Sequence, residues 1–231
     1  MRRSSTVIFV ILIIVILDQW LKYHIKTTYS IGSGFDMFGL SWAKIHFIEN
    51  EGMAFGLTFG GEMGKLALSL FRLIMVSFLG YMIIQLIRAK ESIGLLICFA
   101  LIIAGALGNI IDSALYGVIF SESDIGRVAE LFPEEGGYGK FLHGKVVDML
   151  YFPMINTNFP EWFPIWGGER FQFFRPVFNI ADASISTGVI SILVFHRKFF
   201  QKEEEEKPKE NLDNIELSGN NDVTQEPDKI I

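Results

Sequence analysis

The sequence predicts an α-helical membrane protein with four transmembrane helices, a small extracytoplasmic subdomain of strands and loops, and an aromatic-rich segment at the membrane interface. Half of the 231 residues are hydrophobic and the mean hydropathy is +0.36, which is typical of a small polytopic membrane protein. Four apolar runs approach or exceed the ~20 residues needed to cross a bilayer. Short basic segments flank these runs on one side of the membrane.

The four predicted spans cover residues 6–23, 65–87, 93–116 and 176–195. Basic residues precede the first span, separate the second from the third, and follow the fourth. Both termini are therefore expected in the cytoplasm and both long loops outside. The first span begins like a secretory signal peptide, but it continues into DQWLKYH instead of a small-residue cleavage site. We therefore expect this span to be retained.

The two outer loops differ in composition. Residues 26–64 contain the alternating piece LSWAKIHFIEN and then the Gly-dense piece MAFGLTFGGEMG, a pattern that predicts a short sheet beside a turn-rich segment. Residues 117–175 contain a polar, Gly-rich insert and then FPEWFPIWGGERFQFFRP. Trp162, Trp166 and their Phe neighbours indicate a segment at the membrane–water interface, with an ordinary loop core as the alternative.

Residues 1–200 are expected to form one four-helix membrane domain, followed by a tail at 201–231. The tail holds ten acidic and four basic residues and few aromatic residues, so it is expected to be disordered and cytoplasmic. The rest of the chain has balanced charge, and nothing indicates a nucleic-acid partner. A single cysteine, Cys98, excludes an intramolecular disulfide and a cysteine-based metal cluster.

An Asn three residues before an Asp occurs twice, in GNIID at 108–112 and in FNIAD at 178–182. If each pair is helical, Asn109 shares a face with Asp112, and Asn179 shares a face with Asp182. A further acid in apolar surroundings, Asp148, lies in KVVDMLYF. Ionisable groups in apolar runs are costly, so these five residues are candidates for a functional site.

The predicted topology places the polar candidates near one face of the membrane. Asp18 and Asp112 lie at the outer ends of the first and third spans, and Asp182 lies about six residues into the fourth. Asn50 and Asp148 lie in the outer loops. Each of these residues also has a structural alternative. Asp18 could pair with Lys22 on one helix face, Asn50 before Gly52 could be a plain turn residue, and the other polar residues could fasten helices.

The reactive groups available are few. The four His residues show no metal-ligand spacing, and neither Ser184 nor Ser186 has a base nearby in sequence. Asp148 and Asp182 remain. If they face each other in a low dielectric, they share one proton, so that one carboxylate can deprotonate water while the other protonates a leaving amine. This reaction needs neither a metal nor another cofactor. Two alternatives are a proton-coupled transporter and a metal-dependent lipid phosphatase or transferase.

Five blocks give the chain a family resemblance: DQWLKY at 18–23, NEGMAFG at 50–56, GALGNIID at 105–112, VVDMLYF at 146–152 and FNIADASI at 178–185. Across residues 5–195 the chain resembles the bacterial lipoprotein signal peptidases, the type II signal peptidases. The resemblance implies a four-span aspartyl endopeptidase of the inner membrane, with its active site near the outer face. Its partners would be membrane lipids and prolipoproteins, which it cuts before a diacylglyceryl-modified cysteine. It is expected to act as a monomer.

The resemblance also implies site residues. Asp148 and Asp182 would be the catalytic pair, and Asp18 with Lys22 would form a polar cluster at the outer end of the first span. The positions that match the family's other active-site and substrate-positioning residues are Asn50, Gly52, Asn109, Asp112, Asn179 and Ala181. Ser113 stands where the family commonly has Arg, and we expect Arg175 or Arg170 to replace that Arg. Residues 118–143 and 153–175 are longer than the resemblance leads us to expect and have no assigned role.

Overall fold

The computed structural model describes residues 2–51, 61–197 and 199. Gly52 and the acidic tail at 201–231 therefore lie outside the described residues. The chain divides after Val189 into two compact units, Met1–Val189 and Ile190–Ile231. Every contact described below lies within the first unit.

The described helices are α1 (Arg2–Thr28), α2 (Gly61–Arg88), α3 (Ile93–Ile111) and α4 (Ile180–Phe195). Helix α3 continues through a π-helical turn, Asp112–Tyr116, to Ile119. Among the described residues, Arg2–Thr28, Met63–Arg88 and Ile93–Ile119 are long and apolar enough to cross a membrane, and Ile180–Phe195 is a shorter apolar helix. The prediction of membrane-spanning helices is thus confirmed for the first three spans.

Helix α4 begins four residues later than the predicted fourth span. The sequence predicts a helix from 176, but Val177 and Phe178 form a short strand that pairs with Tyr151 and Leu150. Pairing with a distant strand overrides the apolar helical pattern at these two residues. As a result, Asp182 lies in the first turn of the helix rather than two turns inside it.

Helix α3 contacts both α1 and α2 and is the most buried of the three long helices. By contrast, Phe9 and Ile16 of α1 and Ile74 of α2 are exposed, as expected of helix faces that contact lipid tails. Gly105 and Gly108 allow close approach to α3. A Cβ atom on Gly105 would overlap the Ala181 carbonyl oxygen, and one on Gly108 would lie 2.7 Å from an Asp18 carboxylate oxygen.

A four-stranded antiparallel sheet lies where α1 and α3 end. Its order is β1 (Gly34–Asp36), β2 (Lys44–Asn50), β3 (Val146–Tyr151) and β6 (Val177–Phe178). Phe47, Val147 and Met149 pack with Ile25 and Phe120 in its core. Since side chains alternate along a strand, Asp148 points away from this core, to the opposite face of the sheet. The small subdomain of strands is thereby confirmed.

A separate hairpin is formed by β4 (Ile155–Asn158) and β5 (Arg170–Phe173). Phe159 lies at the centre of its own aromatic cluster, with ring centroids 5.0 Å from those of both Phe163 and Phe171. Two apolar residues of the hairpin are largely exposed: the exposed fraction is 78% for Trp162 and 87% for Ile165. The long stretch at 153–175 is therefore an ordered hairpin with an apolar tip.

Candidate active site

The second N-x-x-D pattern is a reciprocal cap at the start of α4. The Asp182 backbone N–H donates to Asn179 Oδ1 at 2.8 Å, and the Asn179 N–H donates to Asp182 Oδ2 at 3.4 Å. This is the geometry of a capping box. Asn179 thus precedes the helix instead of sharing a helical face with Asp182. The cap fixes Asp182 at the helix N-terminus, where the helix dipole favours a carboxylate.

Asp148 lies on β3, and only 2% of it is exposed. Its Oδ1 accepts a hydrogen bond from Asn179 Nδ2 at 2.7 Å, and its Oδ2 accepts one from the Asn50 amide at the end of β2. Asn50 reaches this position because β2 pairs with β3 in a register that sets Ile48 opposite Asp148. Asn50 is therefore a partner of Asp148 and not a plain turn residue.

Asp182 is held by the third helix. Its Oδ1 accepts a hydrogen bond from Asn109 Nδ2 at 2.8 Å. Asn109 Oδ1 in turn accepts from Asn179 Nδ2 at 3.1 Å and from Lys22 Nζ at 2.9 Å. Asn179 therefore hydrogen-bonds to Asp148 and Asp182 and also to Asn109. Asp182 is half-buried, whereas Asp148 is buried.

The surroundings of Asp148 favour its neutral form. Burial, followed by the negative charge of Asp182, raises the pKa of the Asp148 carboxyl to about 8. The Lys22 charge and the Asn179 hydrogen bond act in the opposite direction and are weaker than burial. At pH 7 the buried carboxyl is therefore mostly protonated.

Lys22 forms a buried ion-pair centre. Its Nζ lies 2.9 Å from Asp18 Oδ2 and 2.8 Å from Asp112 Oδ2, and all three side chains are at most 1% exposed. The free oxygen of Asp18 accepts from the Ala181 backbone N–H at 2.8 Å, and Asp112 Oδ2 accepts from the Val147 N–H at 3.2 Å. These two carboxylates thus hold the backbone immediately before Asp182 and immediately before Asp148.

The structure brings together nearly every site residue that was predicted from the sequence. One hydrogen-bonded network contains Asp18, Lys22, Asn50, Asn109, Asp112, Asp148, Asn179, Ala181 and Asp182. Gly52 lies outside the described residues. The network can hold two carboxyls with unequal environments close to one another, an arrangement suited to general acid–base chemistry.

Sequence reasoning missed Gln19 and Arg72. Gln19 Nε2 donates to Asp112 Oδ1 at 2.8 Å and to the Gly108 carbonyl at 3.1 Å; its place in the DQWLKY block is the signal that indicates it. Arg72 Nη1 donates to Ser113 Oγ at 3.1 Å, and its signal is a charge inside an apolar span.

Ser113 is therefore contacted by Arg72, contrary to the expectation of Arg170 or Arg175. Arg170 instead donates to Asn156 Oδ1 at 3.0 Å within the hairpin, and the Arg175 side chain is exposed. Arg170 begins strand β5 and Arg175 lies in the segment between β5 and β6, whereas the residue that contacts Ser113 comes from helix α2.

The chain matches a known protein family and several of its members over most of its length. The family model described as signal peptidase (SPase) II matches residues 10–198. The lipoprotein signal peptidase of Porphyromonas gingivalis is 49% identical over 193 residues, which cover 83% of each chain. That of Amoebophilus asiaticus is 33% identical over 194 residues, covering 83% of this chain and 77% of the relative.

Two solved bacterial membrane enzymes have similar folds. The first, determined by the in meso method at 1.9 Å resolution, is 27% identical with a TM-score of 0.54 and covers 82% of this chain and 91% of its own. The second, at 2.3 Å resolution, has a TM-score of 0.52 over 97% of this chain and 95% of its own. Its identity of 23% makes it a likeness of fold alone.

Proposed function

Because this chain belongs to the signal peptidase II family, we propose that Asp148 and Asp182 are the catalytic pair with which it removes signal peptides from prolipoproteins. Membership makes the protein a membrane endopeptidase that processes prolipoproteins, and it favours this activity over the transporter and the phosphatase or transferase. The observation that supports the pair is the position of Asn179, which hydrogen-bonds to both carboxyl-bearing residues.

The unequal environments of the two carboxyls support a different role for each. Asp182, which is half-buried and lies at a helix N-terminus, accepts a proton from a water molecule as the water oxygen bonds to the scissile carbonyl carbon. Asp148, neutral at pH 7, delivers its proton to the amide nitrogen as the C–N bond breaks. The products are a carboxylic acid and an amine, and one proton remains on the pair for the next cycle.

The substrate we propose is a prolipoprotein whose cysteine carries diacylglycerol, cut on the N-terminal side of that cysteine. The network lies where α1 and α3 approach their ends and α4 begins, so a lipid-anchored peptide bond can reach it without leaving the membrane surface. The basic flanks of the spans support a cytoplasmic position for both termini. We therefore assign the site to the outer face of the inner membrane, in an enzyme that acts as a monomer.

The purified protein in detergent is expected to cleave a diacylated prolipoprotein peptide and to leave the unlipidated peptide largely intact. The value of kcat/KM should fall as the pH rises through about 8, because the Asp148 carboxyl then loses the proton that it donates. A gel-shift assay across a series of buffers measures both effects. A rate that keeps rising to pH 10, or equal cleavage of the two peptides, would contradict the assignment.

We also propose that the β4–β5 hairpin rests on the outer surface of the bilayer. Its exposed Trp162 and Ile165 form an apolar tip, and Trp is the residue most typical of the membrane–water interface. The aromatic cluster around Phe159 supports this tip from within the hairpin. The partner of the tip is then the headgroup region of the lipid.

A protein that retains Trp162 alone, with the other three tryptophans replaced by Phe, is expected to show blue-shifted emission in vesicles. Lipids brominated near the headgroup should quench this emission more strongly than lipids brominated near the chain ends. A protein that retains Trp20 alone is the positive control, because this residue is exposed on the membrane helix α1. Water-like, unquenched emission from Trp162 together with quenched emission from Trp20 would refute the interfacial position.

A further inference from the structure

Arg72 joins the network from the second membrane helix. Its Nη1 donates to Ser113 Oγ at 3.1 Å, and the same hydroxyl donates to the Asn109 carbonyl at 3.0 Å. Asn109 also holds the Asp182 carboxylate. A continuous set of hydrogen bonds therefore connects the half-buried guanidinium to the residue that positions Asp182. Ser113 itself is only 4% exposed, so the anchor of the guanidinium is fixed within the protein.

The charges around Arg72 indicate what the guanidinium does. Three carboxylates, those of Asp182, Asp112 and Asp148, lie close enough to attract the guanidinium. Charged groups reach the Asp148–Asp182 pair from three helices: Lys22 and Asp18 from α1, Arg72 from α2, and Asp112 from the end of α3.

A charge count shows why a second cation is needed. Among the described residues, Asp18, Asp112, Asp148 and Asp182 meet in this network with Lys22. When Asp148 is neutral, three carboxylates face one ammonium. When the positive charge of Arg72 is added, the network carries one net negative charge. This is the charge of a pair of carboxyls that share one proton. Without Arg72, the low dielectric favours uptake of a second proton by the pair.

We propose that Arg72, anchored by Ser113, is a positioning residue that holds the Asp148–Asp182 pair in its singly protonated, active form. This inference rests on the proposed function, since it assigns a role relative to that pair. The guanidinium is not expected to touch the scissile bond or the attacking water. It acts through its charge and through Asn109. Arg72 thereby supplies, from α2, the guanidinium that the family commonly carries at the position of Ser113.

The test is the pH dependence of kcat/KM for cleavage of a diacylated prolipoprotein peptide by R72Q and R72K. Loss of the charge in R72Q should shift the whole pH profile of kcat/KM to higher pH by about one pH unit. R72K keeps a positive charge, so its profile should remain near that of the unmodified enzyme. The double variant R72S/S113R presents the guanidinium from α3 instead of α2 and should return the profile toward its original position. R88Q, at the exposed far end of the same helix, is the matched control and should leave the profile unchanged.

A uniform loss of rate in R72Q, with no movement of the profile along the pH axis, would show a merely structural role and overturn the proposal. If R72Q does not fold, S113A decides the matter, because it releases the anchor and should shift the profile in the same direction by a smaller amount. An unshifted S113A then overturns the proposal. Failure of the catalytic pair itself is a different result, since it appears as retained cleavage in D148N or D182N.

Discussion

Asp148→Asn and Asp182→Asn are each expected to lower kcat by roughly 1,000-fold or more, in line with the loss of a general acid or base. Asn has nearly the same volume as Asp and keeps an oxygen that can accept the hydrogen bonds from Asn109 or Asn179. The local structure should therefore survive, while D148N loses the proton donor and D182N loses the proton acceptor. The measurement is single-turnover cleavage of a diacylated prolipoprotein peptide in detergent.

The matched control for these variants is Asp124→Asn, an exposed acid in the loop after α3 whose side chain accepts from the Ile125 N–H. It should leave kcat unchanged. Cleavage by either D148N or D182N at a rate close to that of D124N would reject the pair, provided that the variants elute as folded protein. Loss in only one variant would leave a single catalytic carboxyl and would reject the shared-proton mechanism.

Lys22→Met should have the largest effect on stability. The substitution leaves the carboxylates of Asp18 and Asp112, which are at most 1% exposed, without their ammonium partner. Breaking a buried ion pair from one side costs about 3–5 kcal/mol, because the remaining charge is buried and uncompensated. The free energy of unfolding, measured by denaturant titration in detergent, should fall by about this amount.

Lys44→Met provides a comparison with similar ion-pair geometry at the surface. Lys44 Nζ lies 2.8 Å from Asp36 Oδ1, but the two side chains are 36% and 46% exposed. An exposed pair contributes about 0–1 kcal/mol, so K44M should be nearly neutral. Equal losses in K22M and K44M would show that Lys22 does not balance buried charge. K22M should also lose activity, because Lys22 supports Asn109.

The candidate site could be predicted from the sequence because its residues stand out chemically. Acids and amides in apolar runs are visible without a structure, and their positions near the predicted outer face led to the expectation that they meet. The existence of helices α1 to α3 was also predictable, since long uninterrupted apolar runs specify little else. Their bounds were less so, because α1 extends from residue 2 to residue 28 instead of from 6 to 23.

Other features depend on contacts between distant segments. The start of α4 was predicted too early because Val177 and Phe178 pair with β3, and no local pattern marks that pairing. The same pairing makes Asn179 a helix cap instead of a helical residue. Arg72 could not be predicted as a site residue, because its contact with Ser113 depends on the packing of α2 against α3. The need for glycine at 105 and 108 likewise becomes clear only from the close approach of Ala181 and Asp18 on the neighbouring elements.

The most direct test of the catalytic pair is a crystal structure of the D182N variant with an uncleaved diacylated prolipoprotein peptide. If the two carboxyls act together, the scissile carbonyl lies between the side chains at 148 and 182, with a water oxygen about 3–3.5 Å from the carbonyl carbon. A scissile bond held elsewhere, for example beside Ser123, whose hydroxyl lies 2.8 Å from Lys26 Nζ, would contradict it.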